Sequence, residues 1–294
     1  MHIHSANCGC GSLHAHAAAR RDPTRTTLIR RRYEADLVRR FMRLRKAIKE
    51  LVGKENAFGL STNQRFDFPR SSDKVDAFMR WLEEMERAGI LETTRGTSLS
   101  TAAHSSWQNV YILSAYQKGI AHAAGLMQSA GADIERRWID GAFLRPIHAD
   151  RVGLIYTRAY RDLEGITDAM DQQISRILAQ GLADGRHPED LADDLADRVD
   201  KIGITRARTM ARTETIAAHA EGALNTYEEA GLEGVDLLEE FATAEDNAVC
   251  PICEELAKKG PYTIDEARGL IPAHPNCRCA WLPIVKDARG IVLR

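Results

Sequence analysis

Two short stretches near the C-terminus carry most of the chemistry this chain can be expected to do: Cys250-Pro251-Ile252-Cys253, and His274-Pro275-Asn276-Cys277-Arg278-Cys279 some twenty residues later. Thiolate and imidazole are the usual ligands of zinc, and a C-x-x-C knuckle turns two sulfurs toward one point. His274 and Cys277 repeat that spacing. The first choice for a tetrahedral site is therefore Cys250, Cys253, His274 and Cys277, with Cys279 able to replace Cys277. Cys277 and Cys279 are expected to point away from each other and so not to share one ion. Pro251, Pro272 and Pro275 stiffen the two ligand loops and lower the entropy lost on closing them.

Other readings of the same residues are inert or redox-active thiols, and a zinc-dependent nucleic-acid-modifying enzyme. For the enzyme, His219-Ala220-Glu221 and Cys250-Pro251-Ile252-Cys253 outline the H-x-E and C-x-x-C parts of a zinc deaminase. That pattern fits badly, because residue 249 is Val rather than Pro and His219 lies inside an alanine-rich helix. It would also leave His274, Cys277 and Cys279 without a role.

The six cysteines are clustered, Cys8 and Cys10 near the start and the remaining four near the end. A disulfide framework would staple the whole chain, so local clusters favour metal. With 294 residues, 44% of them hydrophobic, the chain can bury a core. No apolar run approaches the length of a membrane span, and the first residues lack the apolar segment of a secretory signal. The expectation is a soluble protein made in the cytoplasm. Net charge is only -2, yet Arg20–Lys54 holds thirteen Lys/Arg against four acids.

The elements that must position these residues read as mostly helical. Residues 1–20 are His- and Cys-rich without apolar period, and are expected to form a flexible arm. Asp22-Pro23 reads as an N-cap with a first-turn proline. Tyr33, Leu37, Phe41, Leu44, Ile48 and Leu51 then form one apolar stripe of a long helix. Its other faces carry Arg30, Arg31, Arg32, Arg39, Arg40, Arg43 and Arg45, a surface for DNA or for an acidic protein face. A second helix, capped by Ser72 or Asp73, carries Val75, Phe78, Leu82 and Met85, and helical pattern resumes over Trp107–Met127. Ile139–Leu144 leads to a boundary at Pro146. Three further helices follow, each closed by glycine, and Val235–Phe241 and Cys279–Val285 are the strand candidates. Arg212 and Glu214 are expected to make interhelical ion pairs or interface contacts, Asp246 to form a turn, and His104, His122, His148 and His187 to have no partners of consequence.

The fold class expected is mainly α, with elongated N-terminal and middle regions and a small C-terminal α+β unit held by the Cys/His metal site. The regions are the arm at 1–20, a helical N-terminal region at 21–145 with the basic first helix, a domain at 146–285 (helices 146–232, metal-clipped unit 233–285) and a tail at 286–294.

Four stretches, in order, resemble the phage head morphogenesis proteins of the Mu F-like type: DPTRTTLIRRRYEADLVRRF, PIHADRVGLIYTRAYRDLEGITDAMDQQISRILAQGLADG, ARTE within its helix, and DNAVCPIC with HPNCRC. Cys250, Cys253, His274, Cys277 and Cys279 occupy the positions of that family's Cys/His motif, and Arg212 and Glu214 those of its Arg-Thr-Glu element. The resemblance implies a minor head protein of a tailed phage or prophage, located inside the virion head near the portal and in the host cytoplasm during assembly. It would assist head assembly, DNA packaging or ejection. Implied partners are the portal protein, the major capsid or scaffold protein and packaged double-stranded DNA, with no membrane, no small-molecule substrate and no catalytic residue. A DNA-binding accessory protein is the further alternative.

Overall fold

In a computed structural model of the chain, the structure describes residues 22–57, 68–93, 102–132, 141, 145–232, 236–286 and 292–293. The arm at 1–20, residues 133–140 and 142–144, and most of the tail lie outside the described residues. The described elements are α1 (Thr27–Ile48), α2 (Phe68–Gly89), α3 (Ala102–Ser105), α4 (Asn109–Ser129), α5 (Pro146–Ala183), α6 (Pro188–Arg198), α7 (Thr205–Leu232), β1 (Asp236–Ala242), α8 (Pro251–Lys259), α9 (Ile264–Ala267), β2 (Ala280–Lys286) and β3 (Val292–Leu293). π-Helical turns at Lys49–Lys54 and Val199–Ile204 extend α1 and join α6 to α7. The chain is mainly helical with a small C-terminal sheet.

Contacts divide the described residues into two units. One draws on Met1–Arg31, Val110–Ile155 and Arg212–Arg294, the other on Arg32–Asn109 and Tyr156–Ala211. Each unit therefore takes segments from both sides of residue 146.

In the second unit, Tyr33, Leu37, Phe41, Leu44 and Ile48 of α1 are all buried. The stripe continues at Val52, fully buried, rather than at Leu51. The π-turn is the reason, because its wider winding moves the next inward position from i+3 to i+4. Gly203 was expected to end a helix; instead the chain winds through it into α7. A Cβ there would lie 2.4 Å from Cδ1 of Phe41, so the glycine permits close approach. Gly185 does close α5, at φ +65. Helix α2 begins at Phe68, ahead of the expected caps, and Phe78 and Leu82 are its fully buried residues.

In the first unit, Asp22 accepts from the backbone N–H of Thr27 at 2.9 Å and of Thr26 at 3.3 Å. It thus caps α1 from five residues away, and Pro23 sits in a preceding turn instead of the first helical turn. Helices α4 and α7 touch backbone to backbone. A Cβ on Gly119 would fall 2.2 Å from the His219 carbonyl oxygen, and one on Gly222 2.3 Å from that of Tyr116. Small residues at this crossing allow the approach, and Ala123 and Ala223 pack fully buried beside it.

Strands β1 and β2 pair antiparallel with Phe241 opposite Trp281, and β3 adds to the far side of β2. The strands match the sequence expectation to within one residue; β3 lies in the stretch read as tail. Tyr262 bridges β1 through two backbone bonds with Glu239. The core beneath this sheet gathers Phe241, Trp281, Tyr227, Ile216, Leu224 and Ile271 together with Cys253, Cys277 and Cys279.

Candidate metal centre

The C-P-I-C stretch acquires its shape from the start of α8. Cys250 is the N-cap residue, Pro251 the first helical position, and Cys250 Sγ accepts the Cys253 N–H at 3.4 Å. Proline suits that position because its missing N–H would have no helical partner there. Both sulfurs consequently sit at the positive end of a helix, which favours thiolates.

The second ligand arm is a tight turn. The Cys277 N–H donates to the His274 carbonyl at 3.1 Å, and Asn276 adopts φ +66, a left-handed conformation that asparagine tolerates. His274 Nδ1 lies 2.8 Å from the Pro275 carbonyl, which places the proton on Nδ1 and leaves Nε2 free to ligate. That Nε2 is 3.2 Å from Cys253 Sγ.

Two donor groups result, each with all ligand atoms within 4.8 Å of one another: Cys250, Cys253 and His274, and Cys253, Cys277 and Cys279. Cys253 belongs to both, and its sulfur is 4.0 Å from that of Cys277. Ligands of a tetrahedral zinc–thiolate site stand about 3.8 Å apart, from a Zn–S bond of about 2.3 Å. The spacing found here, 3.2 to 4.0 Å for these pairs, suits such an ion.

The expectation that Cys277 and Cys279 diverge is corrected by this geometry. Both sulfurs converge on Cys253. Residues two apart in extended chain share a face, and both cysteines precede β2, which starts at Ala280. Among the thiols Cys277 is the acidic one: hydrogen bonding with the Cys279 thiol outweighs burial and brings it down to about 5. Burial, followed by the Cys277 charge, pushes Cys253 up to about 12. A bound dication would erase this difference by displacing the remaining thiol protons from its ligands.

Around the donors, Asp246 forms the expected turn, taking the Ala248 N–H at 3.0 Å. It also grips Arg278 through two contacts of 2.5 and 2.6 Å. A cavity of about 30 Å³ is lined by Arg278 together with Cys250, Cys253, His274 and Cys279.

The Arg212-Thr213-Glu214 stretch meets this centre through its middle residue. Thr213 Oγ1 accepts the Asn276 N–H at 3.3 Å, a contact that reading Arg212 and Glu214 as the interhelical ion-pair or interface residues overlooked. Glu214 is buried and Arg212 half-buried. Nearby, Arg268 contacts Glu221 at 3.4 Å, Asn225 at 3.1 Å and Glu228 more closely still, tying the α8–α9 region to α7.

The deaminase-like arrangement is not assembled. His219 belongs to neither donor group, and Glu221 is paired with Arg268. His219 is fully buried, its ring 5.3 Å from that of His122, and burial drives its pKa down to about 3. His148, expected to be unpartnered, is instead held in a buried chain. Tyr116 Oη lies 2.7 Å from its Nδ1, Glu229 3.1 Å from its Nε2, and Arg145 closes on Glu229 at 2.9 Å.

The arginines of α1 separate into two groups. Arg40 lies 3.9 Å above the Trp107 ring, bonds Glu92 at 2.7 Å and reaches the Gly89 carbonyl; Arg45 pairs with Asp200 at 2.9 Å. Arg39 pairs with Asp36, and Arg30 is half-buried. Arg31, Arg32 and Arg43 are exposed, with no ion pair among the described residues.

Residues 172–282 match the family model described as phage Mu protein F like protein, which bears out the resemblance over that segment; the stretch at 22–41 and most of the one beginning at Pro146 lie outside it. That segment covers the last third of α5, then α6, α7, β1 and both ligand arms. No curated protein and no solved structure matches the chain.

Proposed function

We propose that this chain is a minor head protein of a tailed phage or prophage that docks at the portal vertex inside the head and assists head assembly, DNA packaging or ejection. The observation that carries the reading is the coincidence of two things: the Mu F-like match at 172–282, and the two converging donor groups that lie wholly within it. The family points to a phage head protein; the portal vertex as docking site is our own step beyond it.

In this reading Cys250, Cys253, His274 and one of Cys277 and Cys279 hold a structural zinc. The donor chemistry fits: soft thiolates with one imidazole, at zinc spacing. Bound zinc would supply cross-linking. Five donors for four places leave the protein able to fill the whole coordination sphere, so no reaction is assigned to the site. The exposed arginines Arg31, Arg32, Arg39 and Arg43 offer a further contact to the portal, to the capsid or scaffold protein, or to DNA, while Arg40 and Arg45 serve the fold.

Co-sedimentation of the purified chain with the portal protein encoded in the same genome tests the reading. Binding that persists in about 1 M salt, where charges are screened beyond about 3 Å, is the expected result. A chain that ignores the portal and is missing from purified particles would refute it.

A further inference from the structure

The two ligand arms are far apart in sequence and have to be brought together before an ion can bridge them. One arm is the loop from Thr243 to Val249 that delivers Cys250; the other is His274–Cys279. An ion pair joins them directly. Asp246 stands four residues before Cys250, Arg278 stands between Cys277 and Cys279, and their carboxylate and guanidinium meet at two points, 2.5 and 2.6 Å.

Both partners are anchored on their own arm. Asp246 accepts the Ala248 N–H at 3.0 Å with one side-chain oxygen, and its carbonyl takes the Val249 N–H at 3.1 Å, so its position fixes where α8 and Cys250 begin. Arg278 has a ligand on either side, and it lines the same small cavity as Cys250, Cys253, His274 and Cys279. Each side chain is a little over a quarter exposed. An ion pair that wet adds little to stability by itself. Its two-point geometry, however, fixes direction as well as distance, which a lysine could not do.

We propose that Asp246–Arg278 is a clasp that pre-closes the two ligand arms, so that zinc meets donors already in place. The inference rests on reading the Cys/His cluster as a zinc centre and names the residues that position its ligands. Without the clasp, the ion itself must bear the entropy of bringing the loop ends together.

Zinc affinity of the full chain, measured by competition with a chromogenic chelator, tests this, with Co2+ spectra reporting the ligand set. Asp246→Asn and Arg278→Gln should each weaken zinc binding about 10- to 100-fold, the range typical of groups that orient metal ligands. The tetrahedral Co2+ spectrum should stay unchanged, and the exchanged pair Asp246→Arg with Arg278→Asp should recover most of the loss. If either single variant bound zinc as tightly as the unaltered chain and only melted earlier, the pair would be merely structural and the clasp refuted. Loss in Arg278→Gln with none in Asp246→Asn would overturn it too, assigning the effect to guanidinium charge alone. An unaltered chain that takes up no zinc would instead remove the metal reading, and the clasp with it.

Discussion

Replacing Glu86 by Gln should stabilise the protein, and increasingly so as pH rises. Glu86, on α2, is 3% exposed, and Asp171, on α5, offers it a second carboxyl within hydrogen-bond reach. Burial, then the charge of Asp171, pushes Glu86 up to about 9 from an ordinary 4.5; burial likewise takes Asp171 to about 6. Glu83 and Asp168 add further negative charge. A carboxyl whose folded pKa is raised contributes stability that is complete below its unfolded pKa and is lost as pH climbs toward the folded one. The window therefore runs from about 4.5 to about 9. Each pH unit inside it costs up to about 1.4 kcal/mol, so by pH 8 the loss is on the order of 3–5 kcal/mol, less whatever the pair recovers by relaxing toward water. Glutamine keeps a donor toward Asp171 and carries no proton to lose. Urea unfolding of both proteins at pH 5 and pH 8 measures this: near-equal stability at the lower pH, and a variant about 2–4 kcal/mol more stable at the higher. Equal stability at both would refute the argument. Glu239, also buried with a raised pKa, is present in both proteins and cancels in the comparison.

Further outcomes follow from other contacts. Gly222→Ala should destabilise by about 1–3 kcal/mol or more in thermal unfolding, because its Cβ would meet the Tyr116 carbonyl, which is backbone and cannot swing aside. Arg40→Ala should cost about 2 kcal/mol, through loss of the Trp107 stacking and the bonds to Glu92 and Gly89, whereas Arg43→Ala should change stability by less than about 0.5 kcal/mol. If α1 touches duplex DNA, the four exposed arginines Arg31, Arg32, Arg39 and Arg43 limit the slope of log affinity against log salt to about -4; a slope near -6 would show that Arg40 and Arg45 also bind.

Much of the helical framework was legible because burial writes a period into the sequence: Tyr33 to Ile48 recur at the helical spacing and are all buried. The π-turn that moves the stripe from Leu51 to Val52 leaves no such mark, and Gly203 reads as a stop when its purpose is room for Phe41. The clustering of Cys250, Cys253, His274, Cys277 and Cys279 was legible from spacing alone. What surrounds them was not, since Asp246 and Arg278 are ordinary surface types 32 residues apart whose pairing depends on how the chain folds back. Thr213 was hidden between two charged neighbours that drew attention. His148, apparently solitary, pairs with Tyr116 and Glu229, which are 32 and 81 residues away along the chain.

The central proposal is that Cys250, Cys253, His274 and a fourth cysteine clip the C-terminal unit around one zinc ion. Metal analysis of the purified chain, before and after chelation and in Cys253→Ser, tests it most directly, because Cys253 belongs to both donor groups. One equivalent of zinc is predicted, lost in the variant, with the near-ultraviolet signal of Trp281 collapsing when the metal is removed. A metal-free chain in which Trp281 keeps its buried signal would contradict the account.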